Sequence, residues 1–369
     1  MDIAPFKLER YFAKYEFNTE YLLCSSDCQS MTIGELLGLE RGAGEAFSRQ
    51  WLGYTESTGG TELRQAISSV YESIGPEDVL VHAGAEEAIF TFMQSTLEPG
   101  DHVIVHWPCY QSLVELARSI GCEISLWIAH EEDGWNPGVE ALQSLLRPNT
   151  KAIILNTPHN PTGFLMPRAE FEAVSAIARE ADALLFSDEV YRESEYDPST
   201  RLPAACDLGT HTISLGVMSK TYGLPGLRIG WVATQNHEVL DRMASFKDYT
   251  TICSSAPSEF LATLALRHRQ HLIERSVGLI QRNLGVAESF VEKHADRFTW
   301  VIPHAGPIAF PRYLGGSIDT FCDTLVREAG VLLLPGSIYD DYQNHLRLGL
   351  GRLNAPEALA RLDEFVSRD

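Results

Sequence analysis

The sequence predicts an α/β protein: a mostly parallel sheet sandwiched by helices, joined to a smaller α+β unit. Two observations carry this. From about residue 60 to residue 233, short apolar runs alternate with amphipathic stretches, as expected of strands that pair in parallel through crossover helices. Beyond that point the texture changes: residues 257–297 are almost continuously helix-compatible, and short strand candidates follow.

Taken in order, 62–71 has helical spacing, 79–82 is a short strand and 86–96 a helix. Strands at 103–106, 123–128 and 152–156 alternate with helices at 110–120, 139–146 and 168–181. Residues 183–187, 211–217 and 229–233 read as three further strands. The tail offers strand candidates at 298–302, 308–310, 331–334 and 346–350, and a closing helix over 356–366. The expected division is a large unit over 46–268 and a small one from 1–45 plus 269–369, although the first 45 residues fit neither by pattern alone. There is no internal repeat and no low-complexity linker.

Bulk properties narrow the function. At 369 residues and 44% hydrophobic, the chain can bury a large core. A net charge of −21 disfavours nucleic acid and anionic membrane surfaces. Seven scattered cysteines without a CxxC pair suggest reduced thiols, a cytoplasmic setting and no metal site. The charged, aromatic N-terminus is unlike a signal peptide, and no apolar run reaches membrane-spanning length.

Several residues at strand ends have useful chemistry. Asp188, in SDEVYR, follows an apolar strand; a carboxylate there can pair with a protonated ring nitrogen, though a strand-end Asp is also a common cap or metal ligand. Lys220 follows the 211–217 strand in a turn containing Gly and Pro. Such a lysine is ordinarily solvated, and becomes an imine-forming amine only if desolvation or a nearby cation lowers its pKa. Arg228 has the fork that suits a phosphate, or a structural ion pair. Gly84, Ala85 and Glu86 open a helix where backbone N–H groups can face an anion, and ordinary capping explains them equally well. Tyr110 can stack on a planar ring or simply belong to the core, and Asn160 sits in the rigid turn NTPHNPTG. All follow successive strands, so they can converge along one sheet edge. Together they match the groups of pyridoxal 5'-phosphate (PLP): phosphate, ring face, phenolic oxygen, ring nitrogen and aldehyde.

The order and spacing of NTPHNPTG, SDEVY and SKTYGLPGLRIGW resemble the class I/II aminotransferases of PLP fold type I over essentially the whole chain. The resemblance implies that Lys220 forms the internal aldimine and that Asp188 holds the ring nitrogen protonated. It implies Tyr191 and Asn160 on the phenolic oxygen, Tyr110 on the ring, and Ala85, Glu86, Ser219 and Arg228 around the phosphate. Tyr54, in YTESTGGTELR, resembles the tyrosine that reaches across a homodimer to the neighbouring phosphate. Arg347, in HLRLGLGR, resembles the arginine that clamps the substrate α-carboxylate, with Arg352 a nearby competitor. Val217 departs from the family, in which many members carry Ser or Thr there as a phosphate ligand. No position matches the second arginine that selects dicarboxylates.

The expected activity is transamination between an L-amino acid and a 2-oxo acid. The N-terminal pattern APFKLERYFAKYEF and the segment HAGPIAFPRY are also similar to the capreomycidine synthase subgroup, which makes an elimination and cyclisation lyase the alternative. A nucleotide-binding protein is disfavoured because no GxGxxG or Walker-type loop follows the first strand, and a non-catalytic PLP-binding regulator of DNA is disfavoured by the acidic charge. Ser25, Ser26, Asp27 and Gln29 are candidates for substrate side-chain recognition, or form a plain polar loop; Ser26 is placed among the substrate contacts.

Overall fold

Seven apolar segments assemble the central sheet: β1 (Val79–His82), β2 (His102–Trp107), β3 (Glu123–Ile128), β4 (Thr150–Asn156), β5 (Leu184–Asp188), β6 (Thr212–Val217) and β7 (Gly230–Ala233). The computed structural model describes residues 2–340, 342 and 344–368. Strand order across the sheet is β1-β7-β6-β5-β4-β2-β3. The β2/β3, β2/β4, β4/β5 and β5/β6 pairs are parallel. Every residue of β1, β2, β6 and β7 is buried, because helices cover both faces and leave no solvated side to alternate toward.

One strand departs from the expected parallel pairing. β7 runs antiparallel to both β6 and β1. The connection from β6 contains only the short 3-10 turn Pro225–Leu227, and without a crossover helix the chain must come straight back. That return segment carries Lys220 and Arg228.

The continuous helix expected over 257–297 is two helices, Ala256–Arg267 and Arg269–Lys293. The helix is interrupted at His268, whose φ of −108° and ψ of 22° are non-helical. Beyond it, Leu346–Gly349 pairs antiparallel with Ile308–Ala309 on one side and Leu334–Pro335 on the other. The expected strand at 298–302 is only Phe298–Thr299, paired with Arg312–Tyr313, and 331–334 is split between two sheets.

The N-terminal segment, which pattern alone left unplaced, joins this C-terminal region. Tyr21–Leu22 lies parallel to Val331–Leu332. The preceding helix, Lys7–Tyr15, puts Leu8 into a buried cluster with Cys24, Phe310, Leu332 and Tyr339. Its Tyr11 and Tyr15 hydroxyls donate to the Leu333 carbonyl at 2.8 Å and to Asp323 Oδ1 at 3.0 Å. Among the described residues, no helix is long and apolar enough to cross a membrane, and no cluster of His, Cys, Asp and Glu could hold a metal ion. All seven cysteines are free thiols.

Candidate active site

The carboxyl ends of β2, β4, β5 and β6 open onto one cavity of about 390 Å³, as expected of an open α/β sheet. Ala85, Glu86, Tyr110, Asn160, Asp188, Tyr191, Ser219, Lys220, Arg228, Arg347 and Ser26 all line it. Two expected residues do not. Gly84 lies just behind the wall, and Tyr54 is 88% exposed, away from the cavity of its own chain.

At the sheet end, Asp188 and Asn156 are register partners, and the Asn156 side-chain amide donates to the Asp188 carbonyl at 2.9 Å. Asn156 Oδ1 in turn accepts from the Asn160 backbone N–H at 2.6 Å, which fixes the NTPHNPTG turn over the cavity. The Asp188 carboxylate is buried, and its Oδ1 accepts from the Val190 N–H at 3.2 Å. Burial pushes its pKa up to about 7, with the Val190 N–H and the Lys220 charge opposing.

Burial also lowers the pKa of Lys220; Arg347 pushes the same way, while Asp27 and Asp188 resist. Lys220 Nζ donates to Ser26 Oγ at 2.9 Å and lies 5.9 Å from the centre of the Tyr191 ring.

Arg347 is 1% exposed. Its Nε donates to the Cys24 carbonyl at 3.0 Å, and its Nη1 to Tyr339 at 3.1 Å and to Asn160 Oδ1 at 3.3 Å. Arg352, the competing arginine, also lines the cavity, but its Nη2 is paired with both Asp27 oxygens at 2.9 and 3.0 Å.

At the opposite wall the helix Ala85–Thr96 begins, its N-terminus directed at the cavity through Ala85 and Glu86. Gly84 has φ +88°, and a Cβ there would lie 2.6 Å from Arg228 Nη2. Glycine thus lets the guanidinium close on the helix N-terminus, building an anion cradle from backbone N–H groups and one arginine. Arg228 itself has φ +51°, a left-handed conformation rare for residues other than glycine.

Sequence reasoning missed Phe12, Glu9 and Glu16, which reach the cavity from the N-terminal segment, as well as Asn156 and Tyr339. The signal was present for the helix: Leu8, Tyr11, Phe12 and Tyr15 recur at helical spacing. Phe12 lies 5.9 Å from the Arg347 guanidinium.

The aminotransferase class I and II family model matches residues 23–361. The chain belongs to that family. Among solved structures it is similar to a PLP-dependent aminotransferase from Streptococcus suis 89-1591, at 33% identity and a TM-score of 0.94, covering 100% of this chain and 99% of that one. It is also similar to the PLP-dependent cyclase OrfR, at 27% identity and a TM-score of 0.92, covering 100% and 98%. Among curated proteins, capreomycidine synthase of Streptomyces vinaceus is 27% identical over 363 residues, 97% of this chain and 92% of that protein.

Membership in the class I and II aminotransferases makes pyridoxal phosphate the cofactor and fold type I the architecture. The residues fit it. The buried Asp188 carboxylate, its pKa raised by burial, lines the cavity, and a protonated ring nitrogen is a partner that would favour its charged form. The anion cradle at Ala85 suits a phosphate, and a buried lysine amine lines the same cavity.

Proposed function

We propose that this protein is a transaminase, moving an amino group between an L-amino acid and a 2-oxo acid. The observation that carries the reading is the pairing, in one cavity, of a desolvated lysine amine with an enclosed arginine whose fork is held open by neutral partners. Bound pyridoxal phosphate supplies an aldehyde that joins amines reversibly and a ring that accepts the electrons released at the substrate α-carbon.

The chain's own residues do the rest. Lys220 would hold the aldehyde covalently and, when its amine is free, would serve as the base that moves the substrate α-proton. Asp188 would hold the ring nitrogen protonated, and Tyr191 and Asn160 would steady the phenolic oxygen. Tyr110 would pack on the ring. Ala85, Glu86, Ser219 and Arg228 would hold the phosphate, with Gly84 permitting the close approach of Arg228 to the helix N-terminus. Val217 lines the same wall but has no hydroxyl to offer, so the phosphate relies on its other donors. Arg347 clamps the α-carboxylate bidentately; Arg352 is committed to Asp27.

Glu9 and Glu16 shape the choice of amino donor. Both line the cavity mouth, and among the described residues neither has an ion-pair partner. They favour a donor whose side chain ends in a cation. Tyr54 acts in a homodimer, projecting from an exposed surface into the second copy's site.

The second reading, elimination followed by cyclisation, is favoured by the full-length similarity to capreomycidine synthase and to the cyclase OrfR. One experiment separates them. A transaminase given a suitable donor and no acceptor converts its bound cofactor to the amine form and releases one 2-oxo acid per site, and a lyase leaves the cofactor absorbance unchanged over turnover. Replacing Lys220 by Ala abolishes the lysine-linked absorbance and turnover in either case; normal turnover in that variant sinks both.

A further inference from the structure

Ser26 reaches Lys220 from 194 positions away, accepting a hydrogen bond from its Nζ at 2.9 Å. The same hydroxyl lies beside the Tyr191 phenol, whose ionised form it favours against the opposing effect of burial. A serine hydroxyl has one proton to donate and two lone pairs, so it can accept from the lysine and donate to the tyrosine at once.

The loop bearing it is held firmly. Gly349 N–H donates to the Leu23 carbonyl at 2.8 Å, and Gln29 N–H to the Gly351 carbonyl at 2.7 Å. The Asp27 and Arg352 side chains form an ion pair across the same seam, and Arg347 Nε binds the Cys24 carbonyl. The two glycines permit this contact: a Cβ at Gly349 would stand 2.5 Å from the Ser25 carbonyl oxygen, and one at Gly351 would stand 2.2 Å from that of Asp27. Ser26 is therefore fixed on both sides in sequence, unlike a polar loop residue that adapts to a passing side chain.

We propose that Ser26 is a positioning residue for Lys220, holding the amine whenever it is not covalently engaged and linking it to the Tyr191 hydroxyl. This rests on the reading of Lys220 as the proton carrier and revises the sequence-based expectation that Ser26 contacts substrate. A neutral amine has two N–H bonds and one lone pair. With one N–H committed to Ser26, its rotation is restricted, and the lone pair is held where the α-proton must arrive. The same restraint presents the amine to incoming cofactor.

The test compares wild type, Ser26→Ala and Ser26→Thr in two measurements. The first is the rate at which stripped protein gains lysine-linked absorbance on adding pyridoxal phosphate, which needs no substrate. The second is the donor half-reaction with α-protonated and α-deuterated donor. For Ser26→Ala the expected result is capture slowed about tenfold, kcat lowered by a similar factor at unchanged KM, and a raised isotope effect. Ser26→Thr, which keeps the hydroxyl, restores both to within about twofold of wild type. Three outcomes overturn the inference: an Ala variant indistinguishable from wild type, a rise in KM alone, or a Thr variant as impaired as Ala. In each of these wild type still gains its absorbance and turns over, so the proposed function survives; a wild type that does neither fails on that reading instead.

Discussion

Arg347 and Asn160 stand 187 positions apart in the chain, yet the Arg347 Nη1 donates to the Asn160 Oδ1 at 3.3 Å inside the cavity wall. The contact joins a strand of the C-terminal region to the turn that follows β4. It orients the guanidinium without neutralising it, since its hydrogen-bond partners are a carbonyl, an amide and a phenol.

Arg347→Lys keeps the charge and loses the fork. Its kcat/KM for the amino donor is expected to fall about a hundredfold, mainly through KM. Arg352→Lys, already paired with Asp27, is expected to change it by less than about fivefold. Steady-state kinetics on both variants decides, and the reverse ranking moves the α-carboxylate to Arg352.

Asp188 sets a pH dependence in protein stripped of cofactor. Its folded pKa of about 7 lies above the ordinary carboxylate range, so around pH 4–7 the folded state keeps a proton that the unfolded chain has released. Stability from this group therefore falls as pH rises through that window and levels off above it, by at most about 4 kcal/mol. Thermal midpoints at about pH 5 and about pH 8 are expected to differ more in wild type than in Asp188→Asn. Added pyridoxal phosphate raises the midpoint more at the higher pH, because its ring cation then meets a carboxylate.

Glu9 and Glu16 predict a selectivity. Glu16 has its pKa raised by burial and then by Glu9 and Asp27, with Arg352 opposing only in part. The double replacement by Gln is expected to lower kcat/KM for donors with a cationic side chain about tenfold or more, and to leave neutral donors within about threefold. A donor panel measured on both proteins checks this. Equal losses on all donors would place the two glutamates in closure of the mouth instead.

The exposed aromatic surface predicts a dimer. Trp51, Leu52 and Tyr54 are 78–88% exposed. Thr55 binds the Ser254 carbonyl at 3.0 Å, which brings this segment beside Tyr249 and Ile252, both exposed as well. Trp51→Glu is expected to shift the protein toward monomer in sedimentation and to weaken cofactor retention in step. Tyr54→Phe keeps the dimer and weakens cofactor retention alone.

Much of this site was legible in the sequence because sheet topology did the gathering. Asp188, Asn160 and Lys220 each follow an apolar run, and parallel pairing aligns the ends of such runs whatever lies between them. The antiparallel return of β7 was not legible from strand–helix alternation, although the lack of helix-like sequence between 218 and 229 was its cause. Phe12, Glu9 and Glu16 escaped for another reason. Glu9 and Phe12 lie on a short helix and Glu16 in the 3-10 turn that follows it, and the helix's partners Leu333 and Asp323 lie over 300 positions away, so no local pattern announces the docking. Tyr54 was recognisable only by resemblance, since its proposed target lies in another copy of the chain.

The seam between Leu23–Gln29 and Gly349–Gly351 also concerns the order in which the protein is made. Residues of the central sheet emerge from the ribosome well before residue 349, so β1 to β7 can assemble around Lys220 while the Ser26 loop still lacks its clamp. A segment synthesised before the sheet is thus fixed after it. A nascent chain can own its lysine, its Asp188 and its phosphate cradle before it owns the geometry that puts them to use.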